Sequence, residues 1–323
     1  MRLTFLLQRF NPETDAHPHV EPYRLDIGRG LTVLDALLRI KQEQDGTLAL
    51  RYSCRSAICG SCAMQINGAE KLACRTSVRK ELERHGHIAV APLPNFPVIK
   101  DLVVDMAAFW DKVRAVTPWL AVSVRATPGQ EIRPLTLPRD RYQFHNVDAC
   151  IMCGACVGAC TSHEVSRQFL GPAALAKAER FLADPREPAD AKRTRLRFLE
   201  QPHGIWDCTR CNLCVEVCPK DVQPMEAIIR LRRAAIEAGL TQSGGARHLT
   251  GFLALIRREG RLNEALMPLL VVGLHLRRLL HIAPLGMRML LHGKVPSPWA
   301  PPIPGIAQVR AIFSALGRLT RIG

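Results

Sequence analysis

The chain has 323 residues, of which 47% are hydrophobic and 23% charged, and its formal net charge is +15. This length and apolar content suffice for two or more domains with sizeable cores. The twelve cysteines cluster in three sets of four, which argues against a disulfide framework and for metal binding in a reducing compartment. The basic excess suits nucleic acid, an anionic membrane or an acidic partner. Aromatic residues are few and no nucleic-acid motif is recognised, which favours a protein or membrane surface.

The sequence predicts neither a signal peptide nor a transmembrane helix. The apolar run in residues 1–9 is too short for a secretory signal. The longest apolar candidate, residues 265–276, ends at two arginines before it reaches the roughly 18 uncharged residues that a membrane-spanning helix needs.

Residues 1–105 are expected to form a first, ferredoxin-like domain. Residues 3–10 and 23–27 predict two short strands around a proline-rich turn, and Thr32 is the expected N-cap of a helix over residues 33–44. A cysteine pattern typical of plant-type [2Fe–2S] sites follows, with the spacing C-x4-C-x2-C and a fourth cysteine further on. The candidate ligands are Cys54, Cys59, Cys62 and Cys74. This order of elements predicts a β-grasp ferredoxin domain, and the uneven spacing makes a zinc knuckle the weaker alternative.

Residues 106–240 are expected to form an all-α domain with two further cysteine runs. Each run has the spacing C-x2-C-x2-C-x3-C of bacterial-type ferredoxins, in which the fourth cysteine ligates the other cluster. The runs are Cys150, Cys153, Cys156 and Cys160, and then Cys208, Cys211, Cys214 and Cys218. Small residues between the cysteines allow the backbone to approach a cluster closely. A pair of zinc sites is the alternative, although zinc needs no three-residue step between its ligands.

Helical periodicity in this second region predicts helices over residues 106–116, 172–182, 189–198 and 225–238. Residues 122–139 are interrupted by prolines and are expected to be irregular. The arginine-rich segment 192–197 is interpreted as a solvated helix face rather than a binding patch. His163, His203 and Trp206 flank the cysteine runs, and we expect packing roles for them, with tuning of a cluster's reduction potential as the alternative.

Three segments carry a resemblance to a known family: the cysteine loop at 54–62, the Leu-Ala-Cys-Arg sequence at 72–75 and the proline-rich segment 92–105. They closely resemble the iron–sulfur subunits of succinate dehydrogenases and fumarate reductases, and the similarity continues through both later cysteine runs to about residue 235. The resemblance implies that the chain relays electrons towards quinone from a separate FAD-containing subunit that oxidises succinate to fumarate. No G-x-G-x-x-G motif follows a predicted strand, so no flavin is expected on this chain.

The resemblance also implies how the eight later cysteines are shared. One [4Fe–4S] cluster would take Cys150, Cys153, Cys156 and Cys218, and the other would take Cys160, Cys208, Cys211 and Cys214. The best-known members have an aliphatic residue at the position of Cys211 and hold a [3Fe–4S] cluster there. The additional thiolate predicts a [4Fe–4S] cluster of lower reduction potential. The alternative is an unligated thiol beside a three-iron cluster.

A second departure from the family concerns quinone. Known quinone-reducing members carry aromatic residues, notably a tryptophan, after the fourth cysteine of the first run. This chain has Thr161-Ser-His-Glu-Val there, and Thr209 replaces a histidine of the family. The usual quinone pocket therefore lacks much of its wall, and electrons are expected to leave through a different partner.

Residues 241–323 extend beyond ordinary members and resemble the tail of the electron-transferring subunit of heterodisulfide reductases. From Arg247 onward, eleven Lys or Arg residues are balanced by only Glu259 and Glu264. We expect a helical extension that docks a partner. Its alternatives are simple packing on the dicluster domain and an interfacial helix at anionic lipid. These features resemble the branch of succinate dehydrogenases that replaces haem-bearing membrane helices with a cysteine-rich subunit, which is itself similar to the cysteine-rich subunit of heterodisulfide reductases.

The sequence as a whole therefore predicts an α+β protein with one [2Fe–2S] and two [4Fe–4S] clusters. It is expected to be a non-catalytic relay subunit of succinate dehydrogenase (succinate:quinone oxidoreductase), bound peripherally at the cytoplasmic face of the membrane. Its expected partners are the FAD flavoprotein and the cysteine-rich third subunit. The alternative is a relay subunit of a menaquinol:fumarate reductase or of another fumarate reductase, because the direction depends on potentials and on the quinone. A zinc-structured basic binding module is less favoured.

Overall fold

The computed structural model describes residues 2–26, 28, 30–121, 144, 146–273, 276–295, 297, 299 and 301–319. The chain divides into two compact units, Met1–Ala234 and Ala235–Gly323. The irregular segment predicted at 122–139 lies outside the described residues. The finer division at residues 105 and 240 stays a prediction.

The strands are β1 (Arg2–Arg9), β2 (His19–Asp26), β3 (Ala63–Ile66), β4 (Ala69–Leu72), β5 (Ile88–Ala91), β6 (Val98–Lys100) and β7 (Val103–Val104). The helices are α1 (Val33–Glu43), α2 (Val78–His85), α3 (Ala107–Ala115), α4 (Ala155–Gly158), α5 (Thr161–Val165), α6 (Pro172–Leu182), α7 (Ala189–Leu199), α8 (Leu213–Glu216), α9 (Pro224–Glu237), α10 (Gly244–Glu259), α11 (Met267–Val272), α12 (Leu276–Leu291) and α13 (Ile306–Leu319). The helices predicted in the first 240 residues are found to within one or two residues.

Among the described residues, five strands of the first unit form a mixed sheet in the order β2-β1-β5-β3-β4. β1 pairs antiparallel with β2 and parallel with β5. Alternate residues of β1, such as Phe5 and Leu7, are buried in one core with Leu34 and Leu37 of α1. This sheet with a helix against it agrees with the predicted ferredoxin-like fold.

Two local details bear on the sequence predictions, one at the start of α1 and one at the start of β2. The side chain of Thr32 accepts the backbone N–H of Asp35 and the Asp35 carboxylate accepts that of Thr32, so the predicted N-cap is confirmed as a full capping box. β2 begins at His19, earlier than predicted, and includes Pro22. Because β2 is an edge strand, a proline that lacks an N–H donor is tolerated there.

Between residues 146 and 234, the regular elements that the structure describes are helices, with short 3-10 turns at Val147–Ala149 and Ile205–Asp207. A small core contains Val147, Ala176 and Val222, and Cys150 and Cys218 pack against it. One cysteine of the first run and one of the second therefore pack against the same small core.

Arg195 departs from the solvated helix face predicted for the arginine-rich segment 192–197. Arg193 and Arg197 are exposed, but Arg195 is buried. Its guanidinium donates to the carboxylate of Glu187 at 2.7 Å and to the backbone carbonyl oxygens of Val116, Thr117 and Trp119. Residues four apart share a helix face, whereas a residue midway between them lies on the opposite face, which here is turned inward.

In the second unit, α10 packs against α11 and α13. A Cβ atom placed on Gly251 would lie 3.1 Å from the Cβ atom of Leu270, so α10 and α11 approach closely. The backbone N–H of Ile303 donates to the carbonyl of Glu259 at 2.9 Å. In the ranges that the structure describes, no helix combines the length and the hydropathy needed to span a bilayer.

Candidate metal centres

The first cysteine loop surrounds a thiol with backbone donors. The Sγ atom of Cys54 accepts the backbone N–H groups of Ser56, Ile58 and Cys59 at 3.4, 3.3 and 3.3 Å. These hydrogen bonds, with that of Ser56 the largest contribution, lower the pKa of Cys54 to about 6. Because iron binds the thiolate form, a site that favours the deprotonated sulfur is suited to a metal ligand.

The other three thiols of this region lie around the same loop. Burial raises the pKa of Cys62 to about 12, and the neighbouring thiols of Cys74 and Cys59 add to the shift. The backbone N–H of Ala57 donates to the Sγ atom of Cys74 at 3.3 Å. Ala57 has a left-handed φ of 55°, a conformation found in nests of backbone N–H groups that bind anions. The first predicted quartet is therefore assembled in one place.

A second group of thiols lines a single small cavity: Cys150, Cys153, Cys156 and Cys218. Burial raises the pKa of Cys156 well above its usual range, and the nearby thiols of Cys153 and Cys150 act in the same direction. The backbone N–H of Val222 donates to the Sγ atom of Cys218 at 3.3 Å. Three sulfurs from the first run and one from the second thus meet in one enclosure.

The third group is formed by Cys160, Cys208, Cys211 and Cys214. Burial is the main reason that the pKa of Cys214 is raised to about 12. The negative charges of the neighbouring sulfurs of Cys208, Cys160 and Cys211 raise it further. Cys211 differs because it is exposed and its pKa is lowered. Burial opposes that shift, but hydrogen bonds, led by the backbone N–H of Leu213, outweigh it. Cys211 is therefore the solvent-facing thiol of this group.

The two later runs exchange their fourth cysteines because α4 and α8 pack against each other. Cys218 joins the thiols of the first run and Cys160 joins those of the second. The three groups also lie in order: the backbone at Gly60 lies against Cys153, and α4, which carries Cys156, packs against α8, which carries Cys214. The structure brings together all twelve predicted cysteines in the expected quartets, and their ligation of iron stays a prediction.

The two sequence departures from the family meet at Cys211. The hydroxyl of Thr161 donates to the Sγ atom of Cys211 at 3.7 Å, and the backbone N–H of Thr209 donates to the hydroxyl of Ser162 at 3.3 Å. Close by on α5, Val165 is 90% exposed. The outer side of the third group is therefore polar and open, where the family's aromatic residues would enclose it.

The donor set fits three iron–sulfur clusters. All twelve candidate ligands are free thiols, and backbone N–H groups converge on several of their sulfurs, as in sites that stabilise thiolates and sulfides. In the described part of the chain, no three His, Cys, Asp or Glu side chains converge closely enough to hold a single metal ion.

Sequence reasoning missed one basic side chain beside the third group. Arg232 on α9 is buried and donates to the backbone carbonyl oxygens of Ile205 at 2.8 Å and Cys208 at 2.7 Å. Its guanidinium also stacks on Trp206, 5.2 Å from the ring centroid, which gives Trp206 the expected packing role. The signal in the sequence was the spacing of Arg232 from Ile228 and Ala235, four residues before it and three after it, which places it on the apolar face of a predicted helix.

Comparison with known proteins agrees with this geometry. Residues 4–111 match the model of a 2Fe-2S iron-sulfur cluster binding domain, and residues 146–222 match that of a 4Fe-4S dicluster domain. The fumarate reductase iron-sulfur subunit of Haemophilus influenzae is 39% identical over 229 residues, which cover 68% of this chain and 88% of that protein. The chain belongs to the family of iron–sulfur subunits of succinate dehydrogenases and fumarate reductases.

Both branches of this iron–sulfur subunit family are represented among its relatives. The succinate dehydrogenase iron-sulfur subunit of Paracoccus denitrificans is 37% identical over 235 residues, covering 72% of this chain and 88% of that protein. The corresponding succinate dehydrogenase subunit of Coxiella burnetii is 34% identical over 245 residues, covering 75% of this chain and all of that protein. A chain of the Mycobacterium smegmatis Sdh1 complex in the apo form has a TM-score of 0.65 and 26% identity, covering 73% of this chain and 96% of that one.

Proposed function

We propose that this protein is the electron-relay subunit of a succinate:quinone oxidoreductase. Iron–sulfur clusters supply centres that gain and lose single electrons. The observation that carries the proposal is the order of the three thiol groups: Gly60 of the first loop lies against Cys153, and α4, which carries Cys156, packs against α8, which carries Cys214. The dicarboxylate chemistry belongs to a separate FAD subunit, since the sequence has no flavin motif.

The entry side of the relay is the exposed surface of the first cysteine loop. Cys59 and Ile58 are exposed there, and Tyr52 beside them is exposed as well. Hydrophobic side chains around a redox centre at the surface are suited to a protein contact that excludes water. We assign this surface to the flavoprotein subunit.

The exit side is the surface around Cys211. This thiol is exposed, and its neighbours Thr161, Ser162 and Thr209 replace the aromatic wall that encloses quinone in better-known members. A polar, open surface favours transfer to another protein over binding of quinone in a closed pocket. We assign it to a third subunit, similar to the cysteine-rich subunit of heterodisulfide reductases, which passes electrons to quinone.

The basic extension after residue 240 provides a docking surface for that third subunit and places the complex at the cytoplasmic face of the membrane. Its compact helical part, α10 with α11 and α13, offers a folded surface for a partner. Outside residues 276–295, the chain from Arg247 onward has seven Lys or Arg and only two Glu, which suits an acidic partner surface.

A menaquinol:fumarate reductase relay is the second candidate, and the similarity to fumarate reductase subunits supports it. The same residues would serve in both directions, because the direction is set by reduction potentials and by the quinone. Measurement of succinate oxidation and fumarate reduction by the whole complex, with ubiquinone and menaquinone analogues, separates the two candidates.

The decisive experiment is EPR of the anaerobically purified protein during titration with a mild reductant, together with iron, sulfide and zinc analysis. The proposal expects about ten iron atoms per chain, one for each metal position of one [2Fe–2S] and two [4Fe–4S] clusters, and three separately reducible signals. A colourless protein with stoichiometric zinc would overturn the relay in favour of a zinc-structured module. A three-iron signal in the oxidised protein would overturn the assignment of Cys211.

A further inference from the structure

The helix α12 and the residues that follow it leave large apolar side chains uncovered. Leu280 is 64% exposed, Met287 58% and Leu291 78%. Trp299, eight residues beyond the end of the helix, is 86% exposed. Scattered exposed leucines are common on protein surfaces, but a helix that exposes several in register marks a contact surface.

Three exposed apolar side chains of α12 share one face of the helix, while Leu285, which is 63% exposed, lies on another side. Leu280, Met287 and Leu291 are spaced by seven and four residues, and such spacings return to the same side of a helix. Leu290 lies beside them and is also exposed. The apolar face therefore runs along most of the helix.

A basic strip borders this apolar face. Arg277, His281, Arg288 and His292 are spaced by four, seven and four residues, so they share the adjoining side, and all four are exposed. Residues 276–295 contain four Lys or Arg, two His and no Asp or Glu. A partner surface that covers α12 must therefore offer apolar contacts and negative charge side by side.

We propose that α12 lies in the plane of a membrane surface that contains anionic lipid. The acyl region would take the apolar face, while the headgroup phosphates would take Arg277, Arg288 and Lys294. The helix has 16 residues and is about 24 Å long at about 1.5 Å per residue, shorter than the roughly 30 Å hydrocarbon core, which suits an in-plane position. Trp299 is of the residue type that anchors at the membrane interface.

Lipid accounts for this surface better than a protein partner does. A protein that covered the apolar face alone would leave the basic strip beside it without counter-charges. An anionic bilayer satisfies both, because its apolar and charged layers lie at adjacent depths. The inference deepens the peripheral location in the proposed function by naming the element and the lipid chemistry, and it requires no electron transfer.

The test is co-sedimentation of the full-length, cluster-loaded protein with vesicles. One set contains phosphatidylcholine alone and the other contains one third phosphatidylglycerol. The protein should bind the anionic vesicles and bind the neutral ones more weakly, and added salt should weaken the difference. Combined Arg277→Gln, Arg288→Gln and Lys294→Gln should weaken anionic binding by about a hundredfold, at about fivefold for each charge.

A matched variant removes the same number of charges elsewhere. Arg24→Gln, Arg39→Gln and Arg193→Gln replace exposed arginines of the first unit, and this variant should bind anionic vesicles like wild type. Equal loss in both triple variants would overturn the proposal, since binding would then follow net charge alone.

The apolar face has its own pair of variants. Leu280→Gln with Leu291→Gln should weaken vesicle binding at least about tenfold, because two exposed leucines lose their acyl contacts. Leu269→Gln with Ile312→Gln, at exposed positions of α11 and α13, should have little effect. Full vesicle binding by the α12 variant, with loss of a partner subunit in a pull-down, would overturn lipid in favour of a protein. EPR of the same samples reports separately on the relay.

Discussion

Gly60 and Cys153 are in direct contact, although they belong to different cysteine regions. A Cβ atom placed on Gly60 would lie 2.8 Å from the Cβ atom of Cys153 and 3.1 Å from the carbonyl oxygen of Ile151. Gly60 also has a left-handed φ of 76°, which a side chain disfavours. A second link, from the guanidinium of Arg75 to the Pro219 carbonyl at 2.7 Å, joins the first cysteine region to the end of the last run. The first thiol group is thus seated directly against the second.

Gly60→Ala should therefore disturb this contact far more than an ordinary glycine substitution does. The new methyl group must displace the backbone at Cys153, which we expect to shift the EPR signal of the [2Fe–2S] cluster and to lower its occupancy severalfold. Gly68→Ala is the matched control, because Gly68 has a φ of 77° and nothing within 4 Å of the added atom. That control should cost only about 1 kcal/mol of strain. Equal cluster loss in both variants would contradict the contact.

Cys211→Ile should change the third cluster from four irons to three. Cys211 is the exposed member of its group, and its removal leaves Cys160, Cys208 and Cys214 in place. The oxidised variant should show the EPR signal of a three-iron cluster and contain one iron fewer per chain than wild type. Thr209→Val, which changes a neighbouring side chain without removing a thiol, should retain the wild-type spectrum. An unchanged spectrum in the cysteine variant would count against ligation by Cys211.

Arg9→Gln should destabilise the first domain. Arg9 is buried and donates to Asp101 at 3.0 Å, and it also contacts Glu21, Asp45 and Tyr23. Asp101 is 1% exposed, so its carboxylate would lose its buried cationic partner. Removal of one partner from a buried ion pair costs about 3–5 kcal/mol.

The loss of Arg9 is best measured as the thermal midpoint of [2Fe–2S] release, followed by visible absorbance. We expect this midpoint to fall by at least several degrees. Arg24→Gln, on the exposed side of the neighbouring strand β2, should leave it unchanged. A wild-type midpoint for Arg9→Gln would show that the buried network adds nothing to stability.

Truncation of the chain after about residue 245 should release the third subunit while the flavoprotein is kept. The truncated chain retains the whole first unit and all twelve cysteines. A pull-down of the co-expressed subunits measures both interactions at once. The Leu280→Gln, Leu291→Gln variant should keep both partners, because that face is assigned to lipid. If the truncated chain held both subunits, the docking role of the extension would be rejected.

Local sequence was enough for features that depend on residues close together in the chain. The spacing of Cys54, Cys59 and Cys62 predicts a loop around one cluster because their separation fixes where the sulfurs can lie. The N-cap at Thr32 depends only on the next three residues, and the boundaries of the helices depend on local periodicity. The family resemblance supplied the exchange of Cys160 and Cys218 in full, residue by residue.

Other features were decided only by tertiary packing. The sequence predicts a solvated Arg195 and gives Arg232 no special role, yet the fold buries both against backbone carbonyl oxygens that come from distant segments. The meeting of Thr161 with Cys211, fifty positions apart, required the approach of the two cysteine runs. The exposed apolar face of α12 also became visible only in three dimensions. Sequence periodicity defines a helix face, but neighbouring elements determine whether that face is covered.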